Sequence, residues 1–328
     1  MAERRRPMPP PLPTPKPGLW RRTPPAIFPP IMGLFGLGLA WREAAPAYGL
    51  PLAISDLILG AVALLFAFAL VAWLAKPLRR PAVLLEELRV LPGRAGLAAA
   101  SLSLMLLAAA LVPFSPALAR ALGILAFVVQ FGLVAAMIHV MRAGPPEGRA
   151  VTPVFHLSFV GFILGGLVAN GLGAQDLARW ILWAMLIPAA VTWGISARQL
   201  TQGLPPAPLR PLLAIHLAPA CLFTIVAHGA GMSAAAHAFM ALSVALAVAL
   251  LASARWLVAG GFSALWGAFT FPLAAFSTAL IVISQGVIGA LGGAVLLAAT
   301  VIIPVIAFRI LKLWAGGVLA IKTNAAEA

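Results

Sequence analysis

Charge is what this sequence has least of. Of 328 residues only 9% are Asp, Glu, Lys or Arg, and just 8 are acidic. A soluble domain carries about 25% charged residues, so a water-facing surface of ordinary size has no material here. A soluble enzyme is excluded. Cysteine is nearly absent too: Cys221 stands alone, which excludes an internal disulfide framework. No G-x-x-x-x-G-K-[ST] loop occurs, so nucleotide-driven transport would need a separate subunit. No Asp, Glu or His chain runs through the middle of an apolar stretch, the usual sign of a proton-coupled carrier. No spacing resembles a metal site and no nucleophile-base pair is evident, so neither a cofactor nor covalent chemistry is expected.

What is there is apolar. AVILMFWYC residues make up 62% of the chain and the mean hydropathy is +1.05, the composition of a polytopic membrane protein. The gaps between charges count its spans. Arg22 to Arg42 and Asp56 to Lys76 each enclose 19 uncharged residues. Arg94 to Arg120 encloses 25, Arg120 to Arg142 21, Arg149 to Asp176 26 and Arg179 to Arg198 18. Each holds one helix, since about 20 apolar residues cross the hydrocarbon core. Arg210 to Arg255 encloses 44 and Arg255 to Arg309 53, so each holds two, folded at His228–Gly231 and around Gln285-Gly286. The expectation is an all-α integral membrane protein of ten spans.

The net charge of +14 reflects 22 basic residues. In a membrane protein these set orientation and do not bind nucleic acid. Nineteen of them fall on the side of both termini, leaving Arg42, Arg120 and Arg179 on the other. Both termini are therefore expected in the cytoplasm of a bacterial-type inner membrane. Residues 1–24 read as a Pro-rich basic cytoplasmic tail lying near lipid headgroups, 25–315 as the membrane domain, and 316–328 as a short cytoplasmic tail. Residues 77–94 read as a short interfacial segment anchored by Trp73 and Leu84-Leu85.

Inside the spans, prolines favour the odd-numbered helices: Pro29 and Pro30 in the first, Pro153 in the fifth, Pro219 in the seventh and Pro272 in the ninth. Each removes a backbone donor, which at membrane depth is tolerated where neighbours or water satisfy the freed carbonyl. A shared inner set of kinked helices is expected. The five histidines read singly as structural or interfacial groups; His156 and His216 fall near the cytoplasmic ends of the fifth and seventh spans. A nearly neutral bundle suits a weakly hydrated anion better than a dehydrated cation, which would need rings of carbonyls or acids.

The ninth span reads Trp266-Gly-Ala-Phe-Thr-Phe-Pro272, which closely resembles the W-x-A-(F/Y)-(S/T)-F-(P/G) signature of the tellurite-resistance/dicarboxylate transporter family, within the slow-type (voltage-dependent) anion channel superfamily. IMGLFGLGLAW in the first span, SDLILG at the second and LAIHLAPACLF in the seventh agree in order. The resemblance covers roughly residues 25–315. It implies five helical hairpins in quasi-fivefold arrangement around a central pore lined by odd helices, in a homotrimer. It also implies a gate at Phe271, the residue before the Pro/Gly position. Ser101, Ser103, Thr224, Thr270 and Thr278 are candidate pore hydroxyls. Two departures stand out: Leu186-Ile187-Pro188 is apolar where a family member carries an acid, and the third span lacks an internal proline. The function so implied is passage of small monovalent anions, with proton-coupled dicarboxylate or sulfite/tellurite export as the alternative.

Overall fold

The computed structural model describes residues 18–283 and 287–328, and no strand occurs among them. The first span is α1 (Phe28–Tyr48), entered through a 3-10 turn at Pro25–Ile27, and α2 (Ala53–Arg79) returns. The short α3 (Val83–Arg89) precedes the hairpin of α4 (Leu91–Leu111) and α5 (Pro116–Ala143). The fifth span is irregular: a π turn at His156–Val160, a 3-10 turn at Gly161–Ile163, then α6 (Leu164–Gly171), answered by α7 (Gln175–Gln202). A 3-10 stretch, Ala207–His216, leads into α8 (Leu217–Gly229), which pairs with α9 (Ser233–Ala252). After the one-turn α10 (Ala254–Leu257), a 3-10 turn at Ala264–Trp266 opens α11 (Gly267–Ile283), paired with α12 (Val287–Ala315); α13 (Val318–Lys322) follows.

Eight of these ten spans are long and apolar enough to cross a membrane by length and composition. The other two are α1, with Arg42 and Glu43 near its end, and the shorter fifth span. The expected turn at His228–Gly231 is present, with Gly231 at φ +74 between α8 and α9. The one expected around Gln285-Gly286 lies outside the described residues.

Packing sorts the spans into two layers. α1 lies against α4, α4 against α6, α6 against α8, α8 against α11, and α11 against α1, so five helices close a ring. Each is backed by its hairpin partner, α2, α5, α7, α9 and α12. In the apolar windows of α4, Ala207–Gly229 and Ala264–Ile283, 72%, 78% and 67% of residues are buried, against 17–33% in the five partners. The partners turn large apolar side chains outward at helical spacing, such as Leu57, Leu64 and Val71 on α2.

The prolines mostly mark helix entries. Pro29, Pro30 and Pro219 sit in first turns, where a missing N–H breaks no internal bond. Pro272 alone of the five lies inside its helix. The irregular start of the fifth span has a separate support. Gln130 of α5 donates from Nε2 to Leu157 O (3.1 Å) and Ser158 O (2.7 Å), satisfying carbonyls that an α-helix would have used.

At the terminus side, α3 is tied down by an ion pair. Lys76 of α2 pairs with Glu87 of α3, both buried, and also donates to Thr23 O at 3.0 Å. Burial pushes the Glu87 carboxyl above the ordinary carboxylate range while Lys76 opposes that shift. The backbone N–H of Ala326 donates to Glu87 Oε1 (3.2 Å), and Arg22 meets Glu327 at 3.2 Å, so both ends of the described chain meet here. Trp73, expected at the interface, is buried edge-on to Phe28 with ring centres 6.4 Å apart. The N-terminal segment covers this end of α2, Arg79 donating to Leu19 O.

Candidate functional site

The ring encloses two cavities, one above the other. The first, about 60 Å³, lies on the terminus side and is walled by the early turns of all five inner spans, including Met32, Leu102, His156, Ile215 and Ala268. The second, about 290 Å³, lies on the far side between the later turns of the same spans. Two side chains face both cavities: Phe271 of α11 and Leu222 of α8. They are 6% and 5% exposed, so a benzyl ring and an isobutyl group part the two spaces.

Local sequence places that ring. Pro272 has no N–H to offer the carbonyl one turn back, which loosens the helix beside Phe271. The neighbouring inner helix α1 presents Gly36. A Cβ there would stand 3.0 Å from Phe271 Cδ2 and 3.2 Å from Cε2. The missing side chain is the seat on which the phenyl ring lies.

The two cavities differ in chemistry. On the far side Arg42 donates from Nη1 to Ala110 O (2.8 Å) and from Nη2 to Asp56 Oδ1 (3.0 Å), and lies 5.7 Å from the centre of the Phe114 ring. Its charge is thus partly neutralised and fixed in place. Glu43, His228 and Asn170 share that wall. Asn170 donates from Nδ2 to Val226 O (3.0 Å), while its Oδ1 is buried with no partner among the described residues. The terminus-side cavity is apolar except for His156, whose Nε2 lies 2.9 Å from His216 Nδ1.

Of the candidate hydroxyls, Thr278 faces the far-side cavity and bonds Ala274 O at 3.1 Å. Ser103, Thr224 and Thr270 donate to carbonyls of their own spans, Ala99 O (2.7 Å), Ala220 O (3.0 Å) and Gly267 O (2.7 Å), and Ser101 is buried without a partner. These four face neither cavity. Of the prolines, Pro29, Pro219 and Pro272 face the terminus-side cavity, and Pro30 packs on Gly267. Pro153 lies in the turn ahead of the fifth span and lines a separate space of about 420 Å³ beside the end of α7. The apolar Leu186-Ile187 step sits on outer helix α7, with Ile187 70% exposed.

Sequence reasoning weighed each histidine alone and missed the His156–His216 contact. The signal was a repeated His-Leu step at the start of two inner spans, His156-Leu157 and His216-Leu217. Among the described residues no group of three or more His, Cys, Asp or Glu side chains gathers as a metal site. The family described as voltage-dependent anion channel matches residues 22–311, which takes in nearly all of the two-layered bundle. A search of curated proteins found no match.

Proposed function

Because this chain belongs to the voltage-dependent anion channel family, we propose that it passes small monovalent anions through its five-helix ring, with Phe271 as the gate. The observation that carries this reading is that Phe271 and Leu222 alone among the described residues face both cavities. Rotating the phenyl ring off Gly36 would remove the larger of the two groups that part the spaces, at the cost of a side-chain rotamer change and no movement of a helix. The wall asks for no ion-specific ligands. It offers Arg42 paired with Asp56, Glu43, His228 and Asn170 on the far side and apolar surface within, suited to anions that shed water readily.

On this reading the basic residues at the terminus side place both termini in the cytoplasm of a bacterial-type inner membrane, where they also raise the local anion concentration. The outward apolar faces of the partner helices are buried in lipid and between three copies of the chain. No chemical step is involved. The second reading, a proton-coupled dicarboxylate or sulfite/tellurite-type exporter, draws support from one feature, the buried imidazole pair beside the path.

The test is chloride and nitrate current from purified protein in planar bilayers, wild type beside Phe271→Ala. A large gain in the variant supports both the channel and its gate. Equal, negligible currents in the two remove Phe271 as the gate and move the weight to a carrier.

A further inference from the structure

His156 is the one polar side chain among the described residues that wall the terminus-side cavity. It is 2% exposed and His216 is 8% exposed, with their rings edge-on at 85°. The outer nitrogens, His156 Nδ1 and His216 Nε2, are buried and have no hydrogen-bond partner among the described residues. Trp193 braces the pair: its ring centre is 5.4 Å from that of His156, and its Nε1 donates to His216 O at 3.1 Å.

The charged and titratable groups on the surrounding elements are engaged elsewhere or turned outward. Arg94 of α4 donates to Leu88 O (2.6 Å) and Gly148 O (2.9 Å). Arg210 donates to Pro205 O (3.1 Å) and stacks 4.5 Å from the centre of the Trp256 ring. His139 and Arg142 of α5, Arg198 of α7 and Arg255 of α10 are exposed. Asp176 and Arg179 pair at the far end of α7, and His228 and His237 lie at the far ends of α8 and α9. Cys221 is buried in α8. No described carboxylate forms an ion pair with either imidazole.

We propose that the His156–His216 pair is an anion-responsive proton site: it takes up one proton from the terminus-side solution when a small monovalent anion occupies the adjoining cavity, and so links proton entry to anion entry. This rests on the reading of the ring as the anion path. Two neutral imidazoles hold two ring protons. Whichever ring donates across the 2.9 Å contact, one outer nitrogen carries a proton and the other is a free base. A third proton gives an imidazolium–imidazole pair with an N–H at both outer positions. With the cavity empty, that charge has only apolar neighbours and is unfavourable. An anion a few ångströms away in the same low-dielectric space offsets much of the cost. Proton and anion therefore favour each other's entry by reciprocal linkage.

The test uses the full chain, purified in detergent and weakly buffered near pH 6, with a pH-indicator dye. Sodium nitrate is added against sodium gluconate of equal ionic strength, gluconate being too large for the cavity. Wild type is expected to withdraw about one proton per chain on nitrate addition, and His156→Gln and His216→Gln none. No uptake by wild type, or uptake undiminished in both variants, overturns the proposal. Elution and melting temperature matching wild type qualify each variant, and the wild-type result decides even if one fails to fold. A second arm measures nitrate flux into liposomes in the Phe271→Ala background. There the flux is expected to rise up to about tenfold per unit of terminus-side acidification, the limit for one proton per anion, and to lose that slope without the pair. Uptake without flux would fell the channel reading and leave the proton site. Flux without uptake or pH slope would do the reverse.

Discussion

The five helices around the cavities and the five behind them are built from the same apolar residue types, yet they do opposite jobs. Four of the five outer helices are more apolar than any of the three inner ones long enough to compare, although the inner ones are far more buried. In water the order would be reversed. In a bilayer the solvent is itself hydrocarbon, so the outward face carries the bulky apolar side chains, and the interior is packed from small residues that let backbones approach. Irregularity follows the same division. Among the described residues every 3-10 or π entry to a span belongs to the inner ring, while the outer helices run as unbroken α-helices around their internal prolines. Irregular backbone needs protein partners for its carbonyls, and Gln130 shows an outer helix supplying them to an inner one.

The sharpest way to break this comparison is to truncate one phenylalanine in each layer. Phe271→Ala is expected to raise anion flux at least about tenfold, the factor that ~1.4 kcal/mol off a barrier brings. Phe308→Ala, on a side chain 67% exposed on α12, should leave liposome flux unchanged. A rise in both would deny the inner ring its special role. Next comes the buried charge that an outer helix carries. Lys76→Met leaves Glu87 buried and unpaired and should cost about 3–5 kcal/mol, while the double variant Lys76→Met/Glu87→Leu should recover most of it. Unfolding in detergent reads both.

A smaller effect tests the bridge between the layers. Gln130→Leu strands the Leu157 and Ser158 carbonyls and should cost about 1–3 kcal/mol, with faster amide exchange around the π turn. Val128→Ala, outward-facing on the same helix, should stay within about 0.5 kcal/mol of wild type. Equal losses would mean that α5 matters only as lipid-facing surface. Smallest of all is the surface pair of Arg80 and Glu86, joined at 2.5 and 2.7 Å. The hydrogen bond from Arg80 holds the Glu86 carboxyl below its ordinary range, so its contribution is present at neutral pH and fades as pH falls through that lowered range. Arg80→Gln should therefore melt slightly below wild type at pH 7 and together with it in strong acid.

Much of the fold was legible in the residue order. The spacing of charges such as Arg94, Arg120 and Arg142 required separate spans, whereas the five prolines singled out in the odd spans, Pro272 apart, mark entries rather than kinks. The candidate site was legible only in part. Phe271 was marked by its motif, and it does lie where the cavities meet. The hydroxyls were not legible, because a Ser or Thr in a helix has the carbonyl one turn back within reach. Thr224 and Ser103 bond there and contribute nothing to a cavity wall. Trp73 was misplaced because an amphipathic residue at a span's end marks the interface only if nothing else covers it.

By itself the sequence determined that this chain is a helical membrane protein, because in hydrocarbon each run of uncharged residues must satisfy its own backbone. It also determined the side on which positive charge gathers, since that is a count along the chain. Only the tertiary structure decided what meets between neighbouring spans of the ring. Phe271 finds Gly36 more than two hundred residues away, and His156 finds His216 sixty residues on. Such contacts depend on how five helices close on one another, and the period of a single helix carries no record of its neighbour's rotation.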